Sequence, residues 1–246
     1  MDIKDKVALI TGTRRIGGVV AVELARRGAH VALGYNRSRE EAEEAAAQVR
    51  SLGRKALVIR ADVSSAADVK SFAQQVISEL GRVDVLVNMA SIYRSKPLSE
   101  TTEQDWDSNL NVNLKSAFLC AQAVVPSMKA NGGGRIINFA DWIAASGRPR
   151  YKGFVPYYVS KAGVVGLTES LALELAADQI LVNAIAPGPI LAPPDLTAEE
   201  DQEVRKATPL GRWGGEMEIA KAVVSLIETD FITGECIRVD GGRHVR

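Results

Sequence analysis

A tyrosine and a lysine four positions apart carry the strongest chemical signal in this sequence. Tyr157 and Lys161 stand in the segment YYVSK, inside a stretch that predicts a helix over 157–177. Residues at i and i+4 share one face of a helix, so the phenol and the ammonium are expected to lie side by side. A neighbouring ammonium favours the phenolate and lowers the tyrosine pKa toward working pH. The pair predicts a tyrosine that acts as a general acid, although a half-buried tyrosine beside an extended lysine gives the same spacing.

The segment TGTRRIGG at residues 11–18 has the composition of a phosphate-binding loop. It follows an apolar run and precedes a helical pattern, which is where the N–H groups of a helix N-terminus bind phosphate. Gly12, Gly17 and Gly18 supply glycines, but arginines replace part of the usual G-x-G-x-x-G pattern. A plain strand-to-helix turn also uses glycine, so the motif alone leaves both interpretations open.

The end of the second predicted strand distinguishes between two dinucleotides. An NAD enzyme carries an acid there for the ribose 2′-hydroxyl, and the stretch from His30 to Ser38 contains none. It ends instead in Asn36, Arg37 and Ser38. A guanidinium beside amide and hydroxyl groups suits a 2′-phosphate. The sequence therefore predicts NADP(H), the alternative being that Arg37 is a solvated loop arginine.

Short apolar runs alternate with helical patterns and must position these residues. The predicted strands are 7–11, 30–34, 56–60, 83–87, 135–139, 180–186 and 236–239. The predicted helices are 19–27, 39–50, 66–80, 103–129, 157–177 and 216–228. Apolar strands separated by helices predict a Rossmann-type, doubly wound α/β fold with a seven-stranded parallel sheet. One domain spans 1–246, and the irregular proline-rich stretch 187–204 predicts a substrate lid at about 187–208.

Bulk composition argues against several classes of function. Lys plus Arg equals Asp plus Glu at 30 each, so no net charge points to nucleic acid or to an anionic membrane. Cys120 and Cys236 are far apart and indicate reduced thiols. His30 and His244 are too isolated to predict a metal site or a hydrolytic triad. No segment approaches the roughly 20 apolar residues of a membrane span. We expect a cytoplasmic protein that acts on a small molecule without a metal.

A series of motifs in this chain resembles the short-chain dehydrogenase/reductase family from end to end. The matching segments are TG at 11–12, ADV at 61–63, NMAS at 88–91, NVN at 111–113, residues 157–161, PGP at 187–189, and TGE with VDGG over 233–242. The resemblance implies hydride transfer from a nicotinamide to a C=O or C=N group, with Tyr157 as proton donor. It implies that Lys161 holds the cofactor ribose and that Asn113 supports a proton-relay water. It also implies a homotetramer packed through 103–129 and 157–177.

The predicted cofactor site combines these motifs with the loop and strand-end residues above. Its members are Gly12, Arg15, Ile16, Gly17, Asn36, Arg37, Ser38, Asp62, Val63, Asn88, Ala90, Ser91, Tyr157, Lys161, Pro187, Gly188 and Ile190. The spacing of the following helix fixes how the loop aligns with the family motif. The interval from Gly12 to Gly28 is one residue shorter than is usual for the family. The apolar residues that follow fit the core only if the loop has lost one residue. Arg15 then stands at the usual middle glycine and is predicted to be a second phosphate ligand, while Ile16 points into the sheet.

One position departs from the family pattern. The serine that normally contacts the substrate carbonyl is replaced by Asp141 when the alignment is anchored on the strand segment NFAD. Counting back from Tyr157 would instead reach Ala144, so we expect about three extra residues in the loop between them, where insertions are tolerated. An aspartate at this position resembles the pteridine reductase branch, in which it delivers protons together with the tyrosine. The alternative is a solvated loop acid.

Two further features resemble the same branch. Tyr93 matches an aromatic residue that stacks on the pterin, and Ser91 matches a serine that contacts cofactor and substrate; an exposed loop aromatic is the alternative for Tyr93. The R-I-G version of the phosphate loop is similar to the R-L-G form of pteridine reductases. The predicted substrate site therefore comprises Ser91, Tyr93, Asp141 and Tyr157.

Three functional hypotheses follow. The first is an NADPH-dependent reductase of a pterin-like compound of the dihydropteridine or dihydrofolate type. The second keeps the fold and cofactor but reduces a ketone such as a 3-oxoacyl thioester. The third is a non-catalytic NADP-binding sensor, which would have no need of Tyr157, Lys161 and Asn113.

Overall fold

Seven parallel strands form the centre of the protein. They are β1 (Val7–Thr11), β2 (His30–Tyr35), β3 (Ala56–Arg60), β4 (Val85–Asn88), β5 (Gly134–Phe139), β6 (Ile180–Pro187) and β7 (Cys236–Val239). The computed structural model describes residues 1–246. The strand order is β3-β2-β1-β4-β5-β6-β7, and every neighbouring pair is parallel. The order reverses between β1 and β4, so a crevice for a ligand is expected at the carboxyl ends of these two strands.

Helices cover both faces of the sheet. They are α1 (Ile16–Arg26), α2 (Arg39–Ser51), α3 (Ala66–Leu80), α4 (Glu103–Leu110), α5 (Ser116–Ala130), α6 (Trp142–Ala145), α7 (Val155–Leu175), α8 (Ala198–Ala207) and α9 (Glu216–Glu228). One apolar core lies between the sheet and helices α1, α2 and α9. A second core lies under α3, α5 and α7. This arrangement confirms the predicted doubly wound α/β fold with its seven-stranded parallel sheet.

The first helix supports the assignment of the phosphate loop. The apolar residues that the shortened loop places on the core face of this helix are Val20, Ala21, Leu24 and Ala25, and all four are buried. Helix α1 begins at Ile16, earlier than the predicted start at residue 19, because the glycines after Ile16 are helical. None of the helices in this chain combines the length and apolar character that a membrane crossing requires.

Two predicted segments differ from the structure. The predicted helix 103–129 is divided into α4 and α5 by a π turn at Asn111–Lys115, which shifts the register of the backbone hydrogen bonds. The stretch predicted as irregular contains helix α8. Thr197 accepts a hydrogen bond from the Glu200 N–H while the Glu200 carboxylate accepts one from Thr197, and such a capping box initiates a helix.

Candidate active site

The phosphate loop is shaped by backbone contacts that exclude side chains. Gly12 has φ 78°, and a Cβ added there would lie 2.7 Å from the Ala90 nitrogen. A Cβ on Gly17 would lie 2.3 Å from the Gly12 carbonyl oxygen. Arg15 also has a positive φ, at 58°. Glycine adopts this backbone conformation most readily, in agreement with the alignment of Arg15 with the usual middle glycine of the loop. The tight turn leads directly into α1. The Gly18 N–H donates to the Thr13 carbonyl oxygen at 3.0 Å, and the N–H groups of Ile16 and Gly17 lie at the helix N-terminus, where anions bind.

The basic side chains around this loop suit an anionic ligand. Arg14 lies 3.8 Å from Glu41 on α2. Arg37 follows β2 and is exposed, as is Asn36, and Ser38 caps α2 by position. Arg60, which sequence reasoning missed, ends β3 opposite Tyr35 and is exposed. A cradle of backbone donors surrounded by guanidinium groups has the chemistry required for a dinucleotide that carries phosphates.

Arg15 makes a contact that the sequence did not predict. Its Nη2 donates a hydrogen bond to the carbonyl oxygen of Ala192 at 3.2 Å. Ala192 belongs to the segment between β6 and α8, so the arginine connects the phosphate loop to the predicted lid. Its assignment as a second phosphate ligand stays a prediction. Ile16 packs partly against the apolar core and also lines the adjacent cavity.

The catalytic candidates meet at the carboxyl end of β5. The Tyr157 hydroxyl on α7 donates a hydrogen bond to Asp141 Oδ2 at 2.7 Å. The other carboxylate oxygen of Asp141 accepts a hydrogen bond from the Ile143 N–H at 2.9 Å and thereby caps α6. Lys161 Nζ donates to the Phe139 carbonyl oxygen at 2.7 Å. The geometry brings Asp141 to the tyrosine and leaves Ala144 inside α6, in agreement with the strand-anchored alignment.

Burial and charge set the protonation of this group. Burial raises the pKa of Asp141, against the opposing effects of the Tyr157 hydrogen bond, the Ile143 N–H and the Lys161 charge. Burial and the adjacent Asp141 raise the pKa of Tyr157 well above 10.0. Burial lowers the pKa of Lys161 from 10.5 to about 8, although Asp141 opposes this shift.

The expected lowering of the tyrosine pKa by the lysine is therefore wrong for this arrangement. Lys161 Nζ lies 5.9 Å from the centre of the Tyr157 ring, whereas the Asp141 carboxylate lies in direct hydrogen-bond contact with the hydroxyl. The closer charge has the larger effect, and a carboxylate beside a phenol favours the neutral phenol.

Asn113 holds two segments of the site together. It lies in the π turn, where its side-chain nitrogen donates to the Ile92 carbonyl oxygen at 3.1 Å and to Ser160 Oγ at 3.0 Å. Its side-chain oxygen accepts a hydrogen bond from the Ile92 N–H at 2.8 Å. Ser160 Oγ in turn donates to the Tyr157 carbonyl oxygen at 2.7 Å. The predicted role of Asn113 in supporting a proton-relay water stays a prediction.

A cavity of ≈ 440 Å³ opens beside these groups. It brings together nine of the predicted site residues, namely Gly12, Arg15, Ile16, Tyr93, Asp141, Tyr157, Pro187, Gly188 and Ile190. The Tyr93 side chain, 59% exposed, stacks on Phe154 with ring centres 4.6 Å apart. It also meets the edge of the Tyr157 ring at 4.8 Å. Tyr93 is thus an exposed aromatic, but one that forms a wall of the cavity.

The other predicted residues lie around the cavity rather than in it. Asp62 and Val63 follow β3, and the Asp62 carboxylate accepts a hydrogen bond from the Ser64 N–H at 3.0 Å. Asn88 ends β4 and donates to the Asn138 side chain at 2.9 Å. Ser91 is exposed beyond β4 and does not line the cavity. All of these residues follow strands at the same edge of the sheet, where the resemblance predicts the cofactor.

Sequence reasoning missed twelve residues that line the cavity. The missed aromatic and basic side chains between β5 and α7 and after α8 line or close it. They are Trp142, Tyr151, Phe154, Trp213 and Arg243. The aromatic residues of the loop between β5 and α7 were the available signal, since aromatic residues are uncommon in this chain. Arg243 lies near the end of the chain and carried no signal. The Trp213 indole nitrogen donates to Asp201 of α8 at 2.7 Å and so fixes the predicted lid. No group of three or more His, Cys, Asp or Glu is arranged to hold a metal ion.

Comparisons with known proteins agree with this geometry. The family model described as enoyl-(acyl carrier protein) reductase matches residues 11–244. The chain is 39% identical over 247 residues to the 3-oxoacyl-[acyl-carrier-protein] reductase FabG of Staphylococcus aureus, covering 98% of each protein. It superimposes on a short-chain dehydrogenase/reductase from Serratia marcescens with a TM-score of 0.92 and 34% identity, covering 99% of this chain and 100% of the other. A blue fluorescent protein from a metagenomic library, in complex with NADPH, gives a TM-score of 0.91 and 34% identity, with 99% of both chains covered.

These relatives refine the sequence-based assignment. They bear out the resemblance to the wider family, but they are not pteridine reductases, and the predicted placement in that branch gains no support from them. The matched region includes both the phosphate loop and the Tyr157–Lys161 pair. The chain belongs to the short-chain dehydrogenase/reductase family of NAD(P)H-dependent oxidoreductases.

Proposed function

We propose that this protein is an NADPH-dependent reductase of a ketone, of the kind represented by 3-oxoacyl thioesters. The observation that carries the proposal is the hydrogen bond that the Tyr157 hydroxyl donates to Asp141 Oδ2, at 2.7 Å, in a cavity beside the phosphate loop. Similarity to the 3-oxoacyl reductase FabG supports a carbonyl substrate. We place the protein in the cytoplasm, as the sequence led us to expect.

Each residue of the site has its own role in this reaction. NADPH, when bound, supplies the hydride. The backbone donors at the start of α1 would hold its phosphates, Arg37 would pair with the 2′-phosphate, and Lys161 would hold the nicotinamide ribose. Tyr157 donates the proton that converts the carbonyl oxygen into a hydroxyl. A high pKa keeps Tyr157 protonated at neutral pH, which suits reduction more than the reverse oxidation, since oxidation would need the phenolate.

Asp141 replaces the hydroxyl donor that this position usually supplies. A protonated carboxyl can donate a hydrogen bond to the carbonyl oxygen, whereas a carboxylate accepts from Tyr157 and repels the developing negative charge. Burial raises the pKa of Asp141, which extends the pH range in which the donating form is populated. We therefore propose that Asp141 acts with Tyr157 when it is protonated.

A second candidate substrate is a planar C=N compound such as a dihydropterin. Tyr93 favours it, because its ring stacks on Phe154 and flanks Tyr157, and a flat heterocycle could lie against that wall. NADPH oxidation with an acetoacetyl thioester, a neutral aryl ketone and a dihydropteridine would distinguish the candidates. Turnover of the carbonyl compounds supports the main proposal, and turnover of the dihydropteridine alone would replace it.

We also propose the homotetramer that the family resemblance implies. Exposed apolar side chains lie on the helices expected to form its contacts, with Phe118 on α5 and Val159 and Leu173 on α7. Leu173 is 85% exposed, and a contact between copies of the chain along α7 would remove this side chain from water. Light scattering after size-exclusion chromatography should give four times the mass of the 26.4 kDa chain, and a monomer would contradict this assembly.

A further inference from the structure

The cavity that contains Asp141 and Tyr157 is also lined by an arginine that the proposed reaction does not use. We propose that Arg243 is an anion-binding subsite and that the substrate is a ketone with a planar apolar body and a terminal carboxylate or phosphate. This inference rests on the proposed reduction of a carbonyl group. It adds the chemistry of the opposite end of the substrate.

Arg243 is held where it can face a substrate. Its Nη1 donates to the Val204 carbonyl oxygen at 3.2 Å and to Thr208 Oγ1 at 3.4 Å, both in or next to α8. Its Nη2 donates to the Tyr151 hydroxyl at 3.3 Å. The guanidinium carbon lies 5.5 Å from the centre of the Trp142 ring. Arg243 lines the same cavity as Asp141 and Tyr157, so neutral partners fix its orientation while its charge faces the cavity.

The charges around the cavity leave Arg243 unneutralised. Three arginines line the cavity, namely Arg14, Arg15 and Arg243, and Asp141 is the single acid among the lining residues. Arg14 and Arg15 belong to the phosphate loop, where the dinucleotide is expected to bind. Arg243 lies within ion-pair distance of no carboxylate in the chain. A partly buried guanidinium without a counter-ion is a binding group for carboxylate or phosphate.

Aromatic rings connect the proton donor to this arginine. The Tyr157 and Phe154 ring centres are 6.2 Å apart, and those of Phe154 and Tyr151 are 6.3 Å apart. The Tyr151 hydroxyl then reaches Arg243. A chain of rings offers apolar surface and edge contacts to a flat ligand. The substrate therefore needs several bonds between its carbonyl and its anionic group, with an aryl or similar body between them.

A second guanidinium strengthens the positive potential at this end. The Arg150 guanidinium carbon lies 5.2 Å from the centre of the Trp142 ring, so two cations pack on one indole. Each is attracted by the ring, and together they add to the potential that an anion would meet.

Paired ketones that carry the same aryl body with either a charged or a neutral terminal group test the proposal by turnover. We would compare 4-acetylphenylacetate with 4-acetylphenylacetamide, and 4-acetylphenyl phosphate with its neutral dimethyl ester. In the wild-type enzyme, kcat/KM should be higher for the anionic member of at least one pair. The pair with this preference shows whether Arg243 binds a carboxylate or a phosphate of the substrate. Arg243→Gln should reduce this preference by roughly 10- to 100-fold, as expected for a charge-assisted hydrogen bond, and Arg243→Lys should retain part of it.

The matched control is Arg148→Gln, because Arg148 is exposed on the same loop as Arg150 and does not line the cavity. It should leave the preference unchanged. If Arg243→Gln loosens α8, both members of a pair lose activity equally, so the ratio still reports on charge. No preference in either pair, or an equal preference in Arg243→Gln and wild type, would overturn the subsite.

A binding measurement separates this inference from the proposed reaction. Calorimetry with phenylbutanoate and phenylbutanamide, in the presence of NADP⁺, requires no turnover. The wild type should bind the carboxylate more tightly than the amide, and Arg243→Gln should abolish the difference. If the ketones are not reduced but this difference is found, the proposed reaction fails and the anion subsite stands. Equal binding of the two ligands by the wild type would refute the subsite.

Discussion

Replacing Asp141 by serine should make the enzyme faster on ketones, and more so as the pH rises. Above the raised pKa of Asp141 the wild-type carboxylate accepts a hydrogen bond from the Tyr157 hydroxyl at 2.7 Å, so this charge-assisted hydrogen bond must break before Tyr157 protonates the substrate. Such a bond is worth about 1.5–3 kcal/mol, and 1.36 kcal/mol corresponds to a factor of about ten in rate. Asp141→Ser should therefore raise kcat/KM by roughly 10- to 100-fold at pH values where Asp141 is ionised.

At low pH the two enzymes should converge. A protonated Asp141 donates a hydrogen bond as serine does, so the wild-type rate should rise as the pH falls through the Asp141 pKa. The assay is the pH dependence of kcat/KM for NADPH-dependent reduction of a neutral ketone. Asp141→Asn is the matched control, since its amide donates without titrating and can still accept the Ile143 N–H that caps α6. A variant-to-wild-type ratio that is constant with pH would refute the assignment of Asp141 as a titrating donor.

Three further predictions concern the cofactor loop and the buried lysine. Arg37→Gln should weaken NADPH binding by about 10-fold or more while NADH binding is unchanged. Calorimetry measures both affinities, and Arg26→Gln, at another exposed arginine, is the control. Equal weakening of NADPH and NADH binding by Arg37→Gln would argue against a contact with the 2′-phosphate. Gly17→Ala should lower the unfolding free energy by about 1–3 kcal/mol and impair NADPH binding, because the new Cβ would lie 2.3 Å from the Gly12 carbonyl oxygen. The control Gly166→Ala should be tolerated, since there is open space around Gly166. A Gly17→Ala protein with wild-type stability and NADPH binding would contradict the close packing of the loop. Burial lowers the pKa of Lys161 from 10.5 to about 8, so between these pH values the folded state binds fewer protons than the unfolded state. The unfolding free energy of the wild type should therefore rise by about 3 kcal/mol, relative to that of Lys161→Met, as the pH increases through this range. Denaturant titrations at both ends of the range measure this change, and a constant difference between the two proteins would show that the pKa of the lysine is not lowered.

The sheet and most of its helices were predictable because their signals are local. Apolar strands and helical periodicity depend on neighbouring residues, and the phase of α1 was enough to place Arg15 at a position with positive φ. The capping box that begins α8 is also local, with Thr197 three residues before Glu200. The prolines of the preceding segment masked it, and the stretch was predicted as irregular.

The electrostatics of the site were less predictable, because they depend on distances between segments that are remote in sequence. The pattern of Tyr157 and Lys161 indicated a lowered tyrosine pKa, whereas burial of the hydroxyl and its contact with Asp141 raise this pKa. The cavity wall formed by Tyr151 and Arg243 requires the loop before α7 and the end of the chain to meet. No spacing rule relates two segments that are ninety-two positions apart.

The most direct test of the proposed reaction is to follow a deuterium label from NADPH to the product. Reduction of a neutral aryl ketone with NADPH deuterated at the transferring carbon should give an alcohol that carries deuterium on the former carbonyl carbon, as detected by mass spectrometry. Tyr157→Phe should still bind NADPH but form this product at least about 100-fold more slowly. An unlabelled alcohol, or a Tyr157→Phe enzyme with wild-type turnover, would contradict hydride transfer with Tyr157 as the proton donor.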